Sequence, residues 1–356
     1  MTARDRFDTL APEFSVKIND AALPNDALAD LIGLTVLEDV DAASMFTLTL
    51  SGWDTVQMKA KWIDDPLFRE GNPVELGFGY RDQVPPMMTG DITGIEPTFM
   101  LTQAPTVTVR GHDRRHQLMR SRRTRTFTNC KDSDIASRVA GEAGLSADVH
   151  DSGASLPYVL QHNQTDLEFL GMRARRIGYE VTVQDRTLRF GPRATDGQPV
   201  LTLHREVELL EFRPRLSTLE QVSDFEVHGW SAQDKREIIG RARVGDESRL
   251  MGGSNSGPAT VRRAFEPPPS ARVSQPVHSQ EEADQLASRA FIEMALRHIR
   301  ADGLCTGEPR LRAGTVVQIG GLGERFSGRY YVTSVEHRFG RNKGYRTAFT
   351  ARRNAT

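Results

Sequence analysis

Five groups of residues have types and spacings that could carry chemistry. His112 and His116 stand four apart, where a helix would turn both imidazoles toward one metal ion, but no third ligand accompanies them. They read as surface or interface histidines. Asp64-Asp65 offers adjacent carboxylates for acid–base or metal work; with Asp+Glu 47 in the chain, a solvated turn is the plainer assignment. Gly253-Ser254-Asn255-Ser256-Gly257 has the glycines of a nucleophile elbow with Asn255 where the nucleophile belongs. Gly321-Leu322-Gly323-Glu324-Arg325-Phe326 begins like a dinucleotide-binding turn and lacks its last glycine. The fifth group is basic: Arg110, Arg114, Arg115, Arg120, Arg122, Arg123 and Arg125. A phosphate-binding strip looks like this, but only Phe127 is at hand for base stacking and the net charge is -1. Planar pairing with carboxylates of a neighbouring subunit, or plain solvation, fits the run better. The sequence thus presents no catalytic, cofactor-binding or metal site and no nucleic-acid partner.

Composition narrows the class. A chain of 356 residues, 38% apolar and 26% charged, has material for two or three globular domains. Two cysteines, Cys130 and Cys305, exclude a disulfide scaffold and read as thiols in a reducing compartment. The start, Met1-Thr2-Ala3-Arg4-Asp5-Arg6-Phe7-Asp8, has no apolar stretch, so no secretory leader is expected and the sequon at Asn163 is idle. No apolar run approaches the roughly 20 residues of a membrane span. Assembly in the cytoplasm without membrane insertion is the expectation.

The elements that would position such groups are mostly strands. Phe14–Ile18, Met45–Leu50, Val74–Phe78 and Thr106–Val109 alternate with period two, and Gly and Pro punctuate them. Residues 1–112 read as a β-barrel-like domain. From His112 the texture changes. Asp132-Ser133-Asp134 caps a helix with Ile135, Val139, Ala140 and Ala143 on one face, ended by Gly144. Thr165-Asp166-Leu167-Glu168 is a capping box for a second helix that Gly178 stops. A hairpin follows over Tyr179–Phe190. Residues 113–198 form a small α+β domain. Strands resume over 199–356, interrupted by an insertion at about 235–312. The insertion holds a Gly/Ser/Pro-rich stretch, 245–278, which reads as a long mobile loop, and a helix opened by the box Ser279-Gln280-Glu281-Glu282.

The two β regions match each other in order. Leu48–Trp53 parallels Phe225–Trp230, Gly71–Gly77 parallels Gly314–Gly320, Thr89-Gly90 parallels Ser327-Gly328, and Thr93–Phe99 parallels Thr333–Phe339. Two copies of one fold predict five equivalent pairs: Trp53 with Trp230, Val74 with Val317, Leu76 with Ile319, Ile95 with Val335, and Phe99 with Phe339. Packing roles, not a site, fall to Trp53 and Trp230 in the barrels and to Phe169, Leu170 and Tyr179 in the α+β domain.

Several segments together resemble a known family. They are Gly111-His112-Asp113 with Leu118; Thr124-Arg125-Thr126-Phe127; Ser133–Ala136 through Gly144-Leu145; Gln161–Leu170 with Ile177–Glu180 and Leu188–Phe190; Ser327–Val332; and Gly344–Thr347. The chain resembles the phage late control gene D family, which includes the N-terminal hub part of VgrG spike proteins. The resemblance implies a baseplate hub of a contractile tail or injection system, structural and not enzymatic. It implies a homotrimer between a hexameric inner tube ring and a trimeric central spike, alongside other baseplate proteins in a phage tail-like particle. VgrG proteins continue into an OB-fold and spike; a sequence stopping at Thr356 leads one to expect the spike as a separate protein. A tail-associated cell-wall hydrolase is the alternative, for which a paired carboxylate is wanting.

Overall fold

The structure is a computed structural model that describes residues 11–81, 83–231, 234–277, 279–341 and 344–356. The leader reading rests on Met1–Asp8 and lies outside the described residues. The protein is mainly β, as the alternating patterns require. A thirteen-stranded sheet runs through both β regions.

Leaving aside the two-residue strand Ala21–Ala22 at its edge, its first set of strands is, in chain order, Pro12–Ile18, Leu31–Asp39, Met45–Ser51, Pro73–Tyr80, Pro86–Thr98 and Thr106–His112. Its second set is Thr202–His204, Leu209–Leu216, Ile299–Thr306, Val316–Gly320, Gly328–Gly340 and Gly344–Arg353. Ranked by chain position, both sets lie in the sheet in the order 2-3-6-5-4-1. The irregularities recur too. A bulge between Leu31 and Gly33 answers one between Leu209 and Glu211. A bulge between Ile92 and Gly94 answers one between Val332 and Ser334. Bulges place single residues off the ladder, so two of them at matched positions fix the equivalence residue by residue. The Gly52 N–H donates to Pro105 O at 2.8 Å, and the Gly307 N–H donates to Tyr345 O at 3.1 Å, at corresponding places.

This register bears on the expected pairs. Val74 faces Gly90 and Val317 faces Tyr330, while Ile95 faces Val109 and Val335 faces Phe349. Val74 with Val317, Leu76 with Ile319, and Ile95 with Val335 therefore hold. The match of Gly90 with Gly328 is displaced by two residues, because Tyr330 is the counterpart of Gly90. Phe99 lies just beyond its strand and exposed, while Phe339 is inside its strand and half-buried. Trp53 and Trp230 are not equivalents. Trp53 is half-buried in a short side hairpin with Ala60, and Trp230 is 61% exposed on Asp224–Ser231, outside the thirteen-stranded sheet. The counterpart of Met45–Ser51 is Ile299–Thr306, whose pattern Ala301-Gly303-Cys305 is too weakly apolar to stand out against Phe225–Trp230.

The second set must curl. Its outer strands sit five spacings apart in the sheet, about 24 Å if flat, yet His204 and Leu209 are joined by a link that spans at most about 17 Å. Leu203, Leu209, Ile299, Val317, Val332 and Phe349 pack inside the curve. The sheet pairing forms no closed barrel among the described residues: the two sets join edge to edge in one sheet.

The α+β region follows its sequence signals. The helix Asp132–Glu142 is followed by Gly144 at φ 70°. In the helix Asp166–Ile177, Thr165 and Glu168 form the reciprocal cap and Gly178 ends it at φ 69°. Phe169 and Leu170 are buried, with Phe127 stacked on Phe169 at 5.7 Å. Tyr179 packs on that core and its hydroxyl donates to Asp151 O at 2.8 Å.

The insertion starts earlier than about 235 and ends earlier than 312. It occupies the chain between Leu216 and Ile299 and has its own sheet, Asp224–Ser231 with Arg236–Arg243 and Ser270–Ser274. The helix Gln280–Leu296 covers that sheet through Ala283, Leu286, Ala287 and Phe291. The stretch 245–278 is not the long loop its composition suggests. It contains the helix Gly257–Ala264 and the strand Ser270–Ser274, and Met251 is buried. The chain's last residues hold it: Arg353 donates to Met251 O and Gly252 O, and the Ser254 and Asn255 N–H groups donate to Thr356 O. Glycine lets backbone approach here, since a Cβ on Gly253 would lie 2.5 Å from the Thr356 carbonyl.

Candidate functional site: a paired seam and two open edges

None of the five chemical groups assembles into a catalytic constellation. His116 Nε2 lies 2.9 Å from Asp91, and His112 Nδ1 lies 2.8 Å from the Thr93 hydroxyl, with burial lowering the His112 pKa. Asp65 caps the turn Pro66–Phe68 by accepting from the Leu67 N–H. Ser256 caps the helix Gly257–Ala264. Gly321 sits in the turn after Val316–Gly320, and Gly323 opens the short helix Gly323–Phe326. Burial pushes the Cys305 thiol up to about 12, far from a reactive thiolate. No group of three His, Cys, Asp or Glu side chains able to hold a metal occurs among the described residues.

Apart from Arg120, the arginine run is paired with acids of its own chain. Arg110 pairs with Glu96, Arg114 with Asp185 and Arg122 with Glu168, at 2.8–3.0 Å. Arg123 and Arg125 share Glu142, and Arg125 also reaches Asp166 at 2.8 Å. Arg115 is buried against Asp113 and donates to Asp39 O and Ser44, tying the α+β region to the first strand set. Arg120 contacts His116 at 3.3 Å. Apart from Asp113 and His116 these partners are distant in sequence, so charge spacing could not reveal them. A subunit neighbour is not needed to explain the run.

A cavity of about 670 Å³ lies between the turn after Leu31–Asp39 and the helix Asp166–Ile177. Its charged lining is spent on internal pairs: Glu168 in the cap, and Glu180 with Arg193 and the Tyr331 hydroxyl. Beneath it, Glu293 of the insertion helix is gripped by Arg193, Arg297 and Arg352. Burial works to raise the Glu293 carboxyl, but Arg193 and Arg352 outweigh it and hold it below the usual carboxylate range. This cluster joins the α+β region, the insertion and the second strand set. It fastens the structure rather than binding a ligand.

What remains distinctive is how the two strand sets meet. Gly33–Asp39 pairs antiparallel with Ser334–Gly340. Tyr345 of the second set packs in the first set's core, stacked on Phe78 at 5.0 Å. The Tyr80 hydroxyl donates to Gly307 O, Arg312 clasps Glu38, and Arg341 donates to Leu28 O and Ala29 O. Phe339 tucks beside Phe14 at 4.7 Å. Each half of this seam has an equivalent elsewhere that no strand covers. Apart from a single bridge between Arg205 and Leu209, Leu209–Leu216 is paired only with Ile299–Thr306, and Gly94–Thr98 only with Thr106–Arg110, among the described residues. Sequence reading found the repeat but not the seam, since pairing between distant strands leaves no local signal.

Comparison with known proteins adds a family and a fold. Residues 9–340 match the family described as the Alg8 N-terminal domain. The chain belongs to the Alg8 N-terminal domain family. That description names neither late control gene D nor VgrG. No curated protein matches the sequence of this Alg8 N-terminal domain chain. Among solved structures it is similar to the 43 kDa tail protein of prophage MuSo2 from Shewanella oneidensis, with 15% identity, 96% and 98% of the two chains covered and a TM-score of 0.69. It is similar to the tail protein from Neisseria meningitidis MC58, with 12% identity, 96% of each chain and a TM-score of 0.69. It is also similar to the E. coli c3393 protein, a component of the type VI secretion system described as resembling the T4 bacteriophage tail proteins gp27 and gp5. There the identity is 14%, the coverage 96% and 77%, and the TM-score 0.60. This family member therefore has the fold of phage tail and type VI secretion proteins. No described helix is long and apolar enough to cross a membrane.

Proposed function

We propose that this protein is a structural hub of a contractile tail or injection baseplate, three copies of which join a six-fold inner tube to a three-fold spike. The observation that carries the reading is the doubled strand set: the same order, the same two bulges and the same register in both halves of one chain. A six-fold ring offers six equal docking surfaces, and three chains of two equivalent units each present six in return. Unmet units would leave strand edges and apolar side chains in water. The fold shared with tail proteins supports the same reading. The proposed role needs no catalytic group, and its partners are the tube ring, the spike and other baseplate proteins.

Native mass measurement of the full chain, alone and with its tube and spike partners, tests this. A trimer in the assembled particle is expected; a stable hexamer or a dimer there overturns the reading. Clearing of peptidoglycan by the purified chain in a gel assay would replace it with the tail-associated hydrolase.

A further inference from the structure

The paired seam and the two open edges answer each other. The matched bulges make Leu34 the counterpart of Phe212 and Ile32 that of Leu210. They make Val335 the counterpart of Ile95 and Phe339 that of Phe99. The seam inside the chain can therefore be transcribed onto the two edges that the chain leaves open. Val335 opposite Glu38 becomes Ile95 opposite Leu216, Glu336 opposite Leu37 becomes Glu96 opposite Arg215, and Phe339 opposite Leu34 becomes Phe99 opposite Phe212. The Arg341 N–H, which donates to Ile32 O, becomes that of Leu101 beside Leu210.

We propose that the edge Gly94–Leu101 of one copy meets the edge Leu210–Ser217 of the next, head to tail, in this register. The number of copies that close the ring rests on the three-chain reading above; which edges meet rests on the structure.

The side chains suit this register. Glu96 lands opposite Arg215, placing opposite charges across an antiparallel pair. With Arg110 on Glu96 and Asp302 on Arg215, the charges then alternate in sign across the junction. Phe99 is 63% exposed, whereas its counterpart Phe339 is sheltered by the seam and by Phe14. Leu101 and Leu210, both exposed, face each other. Large apolar side chains stranded in water at these edges gain cover only from another chain.

The middle of each open edge is a proline. Pro97 and Pro214 stand where the seam has His337 and Val36. Counting by alternation from the Arg341–Ile32 bond, this is a position whose N–H faces across the seam. Proline has none, so each edge is blunted against strands that offer only backbone. Joining the two edges forfeits ladder bonds at the centre and leaves specificity to Glu96–Arg215 and Phe99–Phe212. An unrelated strand cannot exploit such an edge, while a copy of this chain can.

A cross-link reads the register. Positions 96 and 215 fall at a non-bonded pair, where Cα atoms approach to about 4.5 Å, within disulfide reach. Full-length chain carrying both Glu96→Cys and Arg215→Cys is oxidised at high concentration and resolved without reductant, and the linked peptides are mapped. Covalent trimers linked 96 to 215 between chains are expected, with no trimer from either single variant. In parallel, Glu96→Arg should weaken association about tenfold by native mass titration, and adding Arg215→Glu should restore it. Trimers linked through other residues, or unaffected by either charge reversal, overturn the junction and leave the hub reading standing. Chain that stays monomeric at high concentration and forms no 96–215 link overturns the junction itself. Melting temperatures of the variants close to the parent's show that any loss is one of association and not of folding.

Discussion

The strands Leu31–Asp39 and Leu209–Leu216 hold the same rank in their two sets, with the same bulge near the start. Among the described residues the first is paired along both edges, and the second along one apart from the single Arg205–Leu209 bridge. Their burial follows: Leu34 and Val36 are fully buried, while Phe212 and Pro214 are half-buried. The sets also differ at strand 1, which is long and antiparallel to strand 4 in the first set, and short and parallel in the second. Between strands 2 and 3 the first set has a short turn, and the second has the whole insertion with its own sheet and helix. What is preserved is the order and the bulges; what varies is everything attached to an outer edge. A duplicated sheet keeps its register because a one-residue slip would turn every side chain to the wrong face. Its outer connections carry no such penalty and are free to diverge.

That comparison can be broken most forcefully at the seam. Tyr345→Ala removes the ring that stacks on Phe78 and accepts or donates at His337 Nδ1 across 2.8 Å. A loss of about 3–5 kcal/mol in denaturant unfolding is expected. A loss no larger than that of an exposed tyrosine would mean that the two sets do not depend on each other. The next largest effect depends on pH. His337 is buried in the seam, and burial pushes its pKa down to about 3. The unfolded chain then binds a proton that the folded one refuses. The His337 contribution is complete above about pH 6.5 and is lost progressively as pH falls toward 3. Melting curves should show this loss, and His337→Gln should flatten it; an unchanged acid slope would place the sensitivity elsewhere.

A pair of glycines shows how each set fills the gap between ranks 3 and 6 in its own way. A Cβ on Gly111 would lie 2.1 Å from the Phe46 ring, and one on Gly303 would lie 2.3 Å from the Phe349 ring. The two places are neighbours and not equivalents: Phe46–Gly111 corresponds to Ala301–Ala351, and Gly303–Phe349 corresponds to Leu48–Val109. Gly111→Ala and Gly303→Ala should each cost about 1–3 kcal/mol. Phe46→Leu should relieve the first and not the second. Equal relief of both would deny that the clash is local. The smallest effect belongs to Trp230. Exposed on the insertion, it should tolerate Trp230→Ala within about 0.5 kcal/mol by thermal melting. A large loss would restore it to a core and reopen its pairing with Trp53.

The legible parts were those whose cause is local. The caps at Thr165 and Ser279, the stop at Gly178, and the hairpin Tyr179–Phe190 were readable because each depends on a few neighbouring residues. The match of Thr93-Gly94-Ile95 with Thr333-Ser334-Val335 was readable because both copies keep β-branched residues at the bulge. The Trp53–Trp230 match misled because a Gly-Trp pair is conspicuous, while the true counterpart of Phe46, Leu48 and Leu50 is Ala301, Gly303 and Cys305. Small residues serve there because Phe349 already fills the space above Gly303. The stretch 245–278 was misjudged because glycine and serine, which favour loops in isolation, here let the backbone lie against Arg353 and Thr356.

By itself the amino-acid sequence determined a mainly β chain, a helical interlude between two related strand regions, and the lack of a recognisable catalytic motif. These follow from periodicity and capping, which act over a few residues. Only the tertiary structure decided that the strand sets share one sheet, that all of the arginines of 110–125 except Arg120 pair with acids of their own chain, and that Gly94–Leu101 and Leu210–Ser217 are left uncovered. Each of these depends on which distant strand lies alongside. Strand pairing uses backbone groups that every residue carries, so its choice is settled by the packing of the whole sheet and not by any segment alone.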